Sequence, residues 1–159
     1  MIQRIQSLFL LGVVIFAFVM LIHPISSVSF TNGSNAKMTI LGVKTLSQPP
    51  GVFFHVYPLT ALLILTTLLA IATIFLYQKR TLQMRLCVYN ILLYVGVVIM
   101  IFYYYFYLKR HEWPEGWVMN DHSFSICVVL PFVNIILLFQ AFRAIRRDEL
   151  LVKSYDRLR

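Results

Sequence analysis

Four histidines, His23, His55, His111 and His122, each stand beside one of four apolar stretches, and Glu112, Glu115 and Asp121 fall in the same connecting segments. Imidazole nitrogens and carboxylate oxygens are ligands for zinc or copper, so a metal site assembled from these histidines with Glu112 or Asp121 is one reading. No HxxxH or HExxH spacing fixes such ligands in advance, and histidine is ordinary at an interface; loop lengths alone could set the positions. The expectation is therefore no bound cofactor. Cys87 lies at the start of the third stretch and Cys127 near the start of the fourth, which an up-down topology puts most of a membrane apart, so neither a disulfide nor a CxxC redox pair is expected. Inside the apolar stretches the polar residues are Thr66, Thr67, Thr73, Asn90, Asn134 and Gln140, with no Asp, Glu, Lys or Arg. Ionisable groups at membrane depth mark proton relays and ion pathways, and their absence argues against a pump. Asn90, Asn134 and Gln140 read as packing contacts, since interhelical hydrogen bonds average about 0.6 kcal/mol and set register more than stability. The competing reading is a hydrophilic cavity for a small solute, lined by Thr66, Thr73, Asn90 and Asn134. Pro131 is expected to bend its helix one turn before Asn134. No nucleophile with base and acid, Gly-rich phosphate loop or buried carboxylate pair is present, so no enzymatic activity is expected.

The elements that must carry these residues follow from composition. The chain has 159 residues, 60% of them apolar and 13% charged, against about 25% charged in a soluble domain. Four apolar stretches, 7–23, 56–77, 86–108 and 124–142, come near the roughly 20 residues needed to cross about 30 Å of hydrocarbon. In lipid an unpaired backbone group costs several kcal/mol, which restricts such spans to helices. The first stretch follows Arg4 like a signal peptide, but its run from Leu8 to Ile22 is at the upper limit of such a segment and Met1 is kept, so a retained span is expected. The predicted fold is an all-α integral membrane protein, an up-down bundle of four transmembrane helices forming one domain.

Charge sets its orientation. Of the 14 Lys and Arg, ten flank one side: Arg4, then Lys79, Arg80 and Arg85, then Arg143, Arg146, Arg147, Lys153, Arg157 and Arg159. Lys37, Lys44, Lys109 and Arg110 flank the other. The positive-inside rule places both termini in the cytoplasm and segments 24–55 and 109–123 outside. Tyr103, Tyr104, Tyr105, Tyr107, Trp113 and Trp117 then gather at the outer boundary as an aromatic belt rather than a ligand cage. The net charge of +8 is almost wholly an inner-face property, and on so apolar a chain it points to a membrane and not to nucleic acid.

Two loops carry structure of their own. In the outer loop 24–55, Val28-Ser29-Phe30-Thr31 and Lys37-Met38-Thr39-Ile40-Leu41 flank Asn32-Gly33, a strong β-hairpin signal. A lone hairpin is marginal and must lie on the membrane, the other outer loop or a partner. Asn32-Gly33-Ser34 also matches a glycosylation sequon, a pattern frequent by chance, and Pro49-Pro50-Gly51 breaks the chain before the second span. The short loop 78–85 makes the second and third spans antiparallel neighbours.

The tail, 143–159, lacks Gly and Pro and should continue the fourth span as a cytoplasmic helix. It pairs Glu149 with Lys153 and stripes Leu151, Val152, Tyr155 and Leu158 along one side. Such a helix could lie on anionic lipid or dock on a partner; the plainer alternative is a solvated topology anchor. Met1-Ile2-Gln3-Arg4-Ile5-Gln6 at the start, with Arg143-Ala144-Ile145-Arg146-Arg147-Asp148-Glu149, Val152-Lys153-Ser154 and Asp156-Arg157-Leu158-Arg159 at the end, resembles the domain of unknown function 4293 family. That resemblance implies a small four-span protein of the bacterial inner membrane and supplies no activity or site residues. The expected function is that of a non-enzymatic accessory or scaffold component. Its surface is Arg4, Arg143, Arg146, Arg147, Asp148, Glu149, Lys153, Asp156 and Arg157, meeting lipid headgroups, a larger membrane complex or further copies of the chain. An oligomeric channel or exporter, and then the outer metal site, are the alternatives.

Overall fold

A computed structural model describes residues 3–30, 35–45, 52–76, 79–110 and 119–157, without the side chains of 3–6, 45, 52–54, 80, 119–122 and 151–157. Four helices dominate: α1 (Gln3–Ile22), α2 (Tyr57–Phe75), α3 (Arg80–Arg110) and α4 (Leu130–Arg157). Segments Tyr57–Phe75, Thr81–Arg110 and Ile126–Leu150 are long and apolar enough to cross a membrane, whereas α1 carries a shorter apolar stretch, Ser7–Ile22. Pro58 sits in the first turn of α2, where its missing N–H costs nothing. Pro131 likewise falls in the first turn of α4, just after a 3₁₀ turn at Ile126–Val129. It therefore opens the helix and does not bend it, because a bend needs the proline inside a formed hydrogen-bond ladder.

Each helix packs on two others: α1 on α2 and α4, α3 on α2 and α4. The buried positions recur at alternating intervals of three and four. On α1 they are Leu10, Val13, Ala17 and Met20; on α3 Cys87, Asn90, Tyr94, Val97 and Ile101; on α4 Asn134, Leu138, Ala141, Ile145 and Asp148. This heptad spacing suits helices crossing at about 20° with side chains interlocking along the seam. At two seams a glycine lets the neighbour close in. A Cβ on Gly12 would meet Leu137 Cδ1 at 3.4 Å, and one on Gly96 would meet Leu62 Cδ2 at 3.4 Å. That distance admits a methyl group and nothing larger. Gly12→Ala and Gly96→Ala should leave stability within about 1 kcal/mol, while either glycine replaced by leucine should lose about 1–3 kcal/mol from overpacking, as read by thermal unfolding in detergent.

The short connection before α3 is tighter than expected. Arg80 already begins the helix, and the buried Gln83 donates from Nε2 to the Thr73 carbonyl of α2 at 3.3 Å. Basic Lys109 and Arg110 close the last turn of α3, where they complement the helix dipole.

The expected two-strand hairpin is the middle of a five-stranded antiparallel sheet, ordered β4-β3-β2-β1-β5. Its strands are β1 (Ser26–Phe30), β2 (Asn35–Thr39), β3 (Gly42–Thr45), β4 (Val52–His55) and β5 (Met119–Phe124). β1 and β2 form the expected antiparallel hairpin, in the register Val28 with Ala36 and Ser29 with Asn35, which centres on residue 32 and not between Asn32 and Gly33 as a two-residue turn there would; the Asn32-Gly33-Ser34 tip and Pro49-Pro50-Gly51 lie outside the described residues. Two further strands extend the meander from β2, and β5, from the segment before α4, takes the free edge of β1. Of the supports a lone hairpin needs, the chain uses its own other loop, because each added strand satisfies a row of exposed N–H and C=O groups. One face, with Val28, Phe30, Ala36, Met38 and Val43, joins the same apolar core as Met20, Leu59 and Leu108 of the helices. Ile25 is bonded to both loops: its N–H donates to the Met38 carbonyl and its carbonyl accepts from Ser125.

Candidate functional site

Among the described residues, polar chemistry gathers inside the helix packing and at the end where α3 starts and α4 finishes. The interior cluster comprises Thr66 of α2, Asn90 and Tyr94 of α3 and Asn134 of α4, all fully buried. Asn90 and Tyr94 are one turn apart on the same face of α3, and the Tyr94 phenol lies beside the Thr66 hydroxyl and the Asn134 amide. Proximity there does not amount to hydrogen bonding. Both polar atoms of Asn90 and of Asn134, and the Tyr94 hydroxyl, lack hydrogen-bonded partners of proper geometry among the described residues. The threonines are satisfied locally: Thr66 and Thr67 donate to the Leu63 carbonyl at 2.8 Å, and Thr73 to that of Leu69 at 2.6 Å. Such back-bonding is how a helix accommodates hydroxyls without a partner from another element. Gln140, expected among the packing contacts, lies off the buried stripe of α4 and is exposed. Tyr94 was not singled out by the sequence, although its i+4 spacing from Asn90 was available as a signal.

At the second place, a groove of about 590 Å³ runs between α3 and α4 and is lined by Thr81, Met84, Arg85, Val88, Tyr89, Phe142, Arg146, Glu149 and Leu150. A neighbouring groove of about 350 Å³ shares Phe142, Arg146 and Leu150 and adds Phe139, Arg143 and Arg147. Arg143 stands over the Phe139 ring, 6.0 Å from its centre. Asp148 is buried on the α4 seam, and Glu149 is half-buried in the groove wall. Residues expected at this surface thus divide: Arg143, Arg146, Arg147 and Glu149 line grooves, Asp148 faces the helix packing, and the side chains of Arg4, Lys153, Asp156 and Arg157 lie outside the described residues. α4 itself continues without interruption to Arg157. Arg85 belongs to the same groove, which its position in a presumed loop concealed.

The histidines do not assemble into a described site. His23 follows α1 and is exposed; His55 ends β4, is exposed and stacks on Tyr57 with ring centres 4.9 Å apart. His122 pairs with Val28 in the sheet register, with its side chain outside the described residues, as are His111, Glu112 and Glu115. Among the described residues no three His, Cys, Asp or Glu are grouped to hold a metal ion. Cys87 and Cys127 are buried free thiols. Of the residues expected in an aromatic belt, Tyr103, Tyr104, Tyr105 and Tyr107 fall near the end of α3, with Tyr105 stacked on Phe124 at 4.2 Å; Trp113 and Trp117 lie outside the described residues. On the polar face of the sheet Ser27 and Ser123 join their hydroxyls at 2.9 Å, beside Ser29, Asn35 and Lys37.

Three long apolar helices packed along heptad-spaced seams, with a small antiparallel sheet, fit a membrane protein. The chain belongs to the family described as Domain of unknown function (DUF4293), which it matches over residues 2–158. No curated protein matches the chain.

Proposed function

We propose that this chain is a four-pass protein of the bacterial inner membrane, an up-down bundle with both termini in the cytoplasm, and that it serves as a non-enzymatic accessory or scaffold component of a larger membrane complex. The four-pass reading is supported by the packing of every helix on two others and by the length of α1, whose 20 residues rise about 30 Å. The orientation is supported by the ten Lys and Arg on the side of the termini. The observation that carries the functional reading is the continuity of α4 from its apolar stretch through Arg146 and Arg147 to Arg157. A basic surface borne on one continuous helix is preorganised and loses little side-chain and backbone freedom on docking.

Crosslinking in native membranes followed by purification in mild detergent is the test. The full chain should bring down a partner, and deletion of residues 151–159 should weaken that recovery about tenfold, the scale of one or two lost charge-assisted contacts. Recovery of monomers alone, or associations indifferent to the deletion, would remove the reading; recovery of further copies of the chain alone would replace the complex by a homo-oligomer.

A second reading, an oligomeric channel or exporter for a small polar solute, is favoured by the convergence of Thr66, Tyr94 and Asn134. It requires solute flux in reconstituted vesicles that is lost in Asn134→Leu, and it fails if flux matches empty vesicles.

A further inference from the structure

The groove between α3 and α4 is ordered along its length. On α3, Arg85 is followed one turn later by Val88 and Tyr89; on α4, which runs the other way, Glu149 and Arg146 lie on the tail side of Phe142. The charged groups Arg85, Arg146 and Glu149 therefore stand nearer the start of α3, among Thr81, Met84 and Leu150, and from Val88 and Phe142, about 6 Å further along, the lining carries no charge. Val88 and Tyr89 are 49% and 61% exposed, too open for a soluble ion to be the sole occupant and continuous with surface that meets hydrocarbon in any case.

We propose that this groove is a binding site for one anionic phospholipid of the inner leaflet, its phosphodiester held by Arg85 and Arg146 and an acyl chain laid along Val88, Tyr89 and Phe142. The proposal rests on the orientation given above and adds a specific occupant to the basic surface. A phospholipid carries the same order along the membrane normal, phosphate at the interface and chain below it. Planar guanidinium groups match phosphate oxygens two at a time. The two arginines share the groove with one carboxylate, Glu149. Arg143 and Arg147, in the adjoining groove that shares Arg146 and Phe142, extend the positive field beside the headgroup. The groove's size, about 590 Å³, is within the range of ligand sites, roughly 300–1,000 Å³, and takes a headgroup with the first part of a chain.

Native mass spectrometry of the full chain in mild detergent, titrated with phosphatidylglycerol or with phosphatidylcholine of the same chains, tests the site. One phosphatidylglycerol should be retained about tenfold more tightly than phosphatidylcholine, the scale of charge-assisted hydrogen bonds. Arg85→Gln with Arg146→Gln should abolish that preference, and Val88→Trp should weaken both lipids with the charge intact. Lys109→Gln with Arg110→Gln, at the other end of α3, should change nothing. The more conservative Arg85→Lys with Arg146→Lys keeps the charge and should give an intermediate loss, so a folding defect in the glutamine variant does not rescue the idea. Equal retention of the two lipids by the native chain, or a preference unchanged in both arginine variants, overturns it. A reporter fused to the C terminus reads orientation separately: an outer reporter with the lipid preference intact would sink the orientation and leave an anionic-lipid site in the opposite leaflet, overturning the inner-leaflet assignment, whereas an inner reporter with no preference would sink the site alone.

Discussion

Replacing Asn90 and Asn134 together by leucine is expected to raise the unfolding free energy by about 2 kcal/mol. The two amides contribute four polar atoms that are buried without hydrogen-bonded partners among the described residues, and the Tyr94 hydroxyl beside them is a fifth. An unsatisfied buried polar group costs about 1–3 kcal/mol, and a leucine in the same seam adds dispersion contacts. Against this, each leucine is larger than the asparagine it replaces, and overpacking costs about 1–3 kcal/mol where the seam cannot relax. The net gain should be visible as a higher melting temperature in detergent and in bilayer discs alike. A fall in stability would mean either that overpacking outweighs the gain or that internal water satisfies the amides and the cluster is a hydrated site. Tyr94→Phe separates these outcomes further. It should stabilise a dry cluster by about 1 kcal/mol and destabilise a hydrated one.

Met38→Lys should have the largest destabilising effect, above about 4 kcal/mol, while Lys37→Met, one residue away, should change stability by less than about 0.5 kcal/mol. Met38 is 1% exposed on the face of the sheet that joins the helical core; Lys37 is exposed on the opposite face, paired with Ser27 and Lys44. Side chains alternate strictly between the faces of a strand, so adjacent positions experience opposite environments. A lysine at 38 loses the buried thioether, worth about 2–5 kcal/mol, and buries an ammonium with an effective penalty of several kcal/mol. Guanidinium or heat unfolding of the two variants checks the contrast, and equal effects would show that the sheet does not close the end of the helices.

Much of the fold is legible in residues alone because composition and backbone hydrogen bonding leave few choices. Long apolar runs specify helices, and alternation around Asn32-Gly33 specifies that β1 and β2 pair as a hairpin, though not in which register. The continuation of α4 beyond Phe142 follows from a tail with no helix breaker. Other features escaped for a common reason. In helices apolar all round, hydropathy does not distinguish the face that meets other helices from the face left uncovered. By composition Gln140 groups with Asn134, although at 3.6 residues per turn six positions place it about 120° away. The groove at Arg85 and Arg146 was invisible because its two walls are about sixty residues apart in sequence and because Arg85 read as part of a loop.

The sequence by itself determined the helical segments, the charge asymmetry and the existence of the β1–β2 hairpin, since each depends on neighbours within a few residues or on an average over the surroundings. It also carried the family relationship over 2–158. The tertiary structure decided which polar groups meet in the interior, which side of each helix is covered, and the joining of both connecting loops in one sheet. Those depend on pairings between distant segments, such as β1 with β5 or Arg85 with Arg146. Such pairings are selected by hydrogen-bond satisfaction at strand edges and by shape at helix seams, neither of which leaves a local signature along the chain.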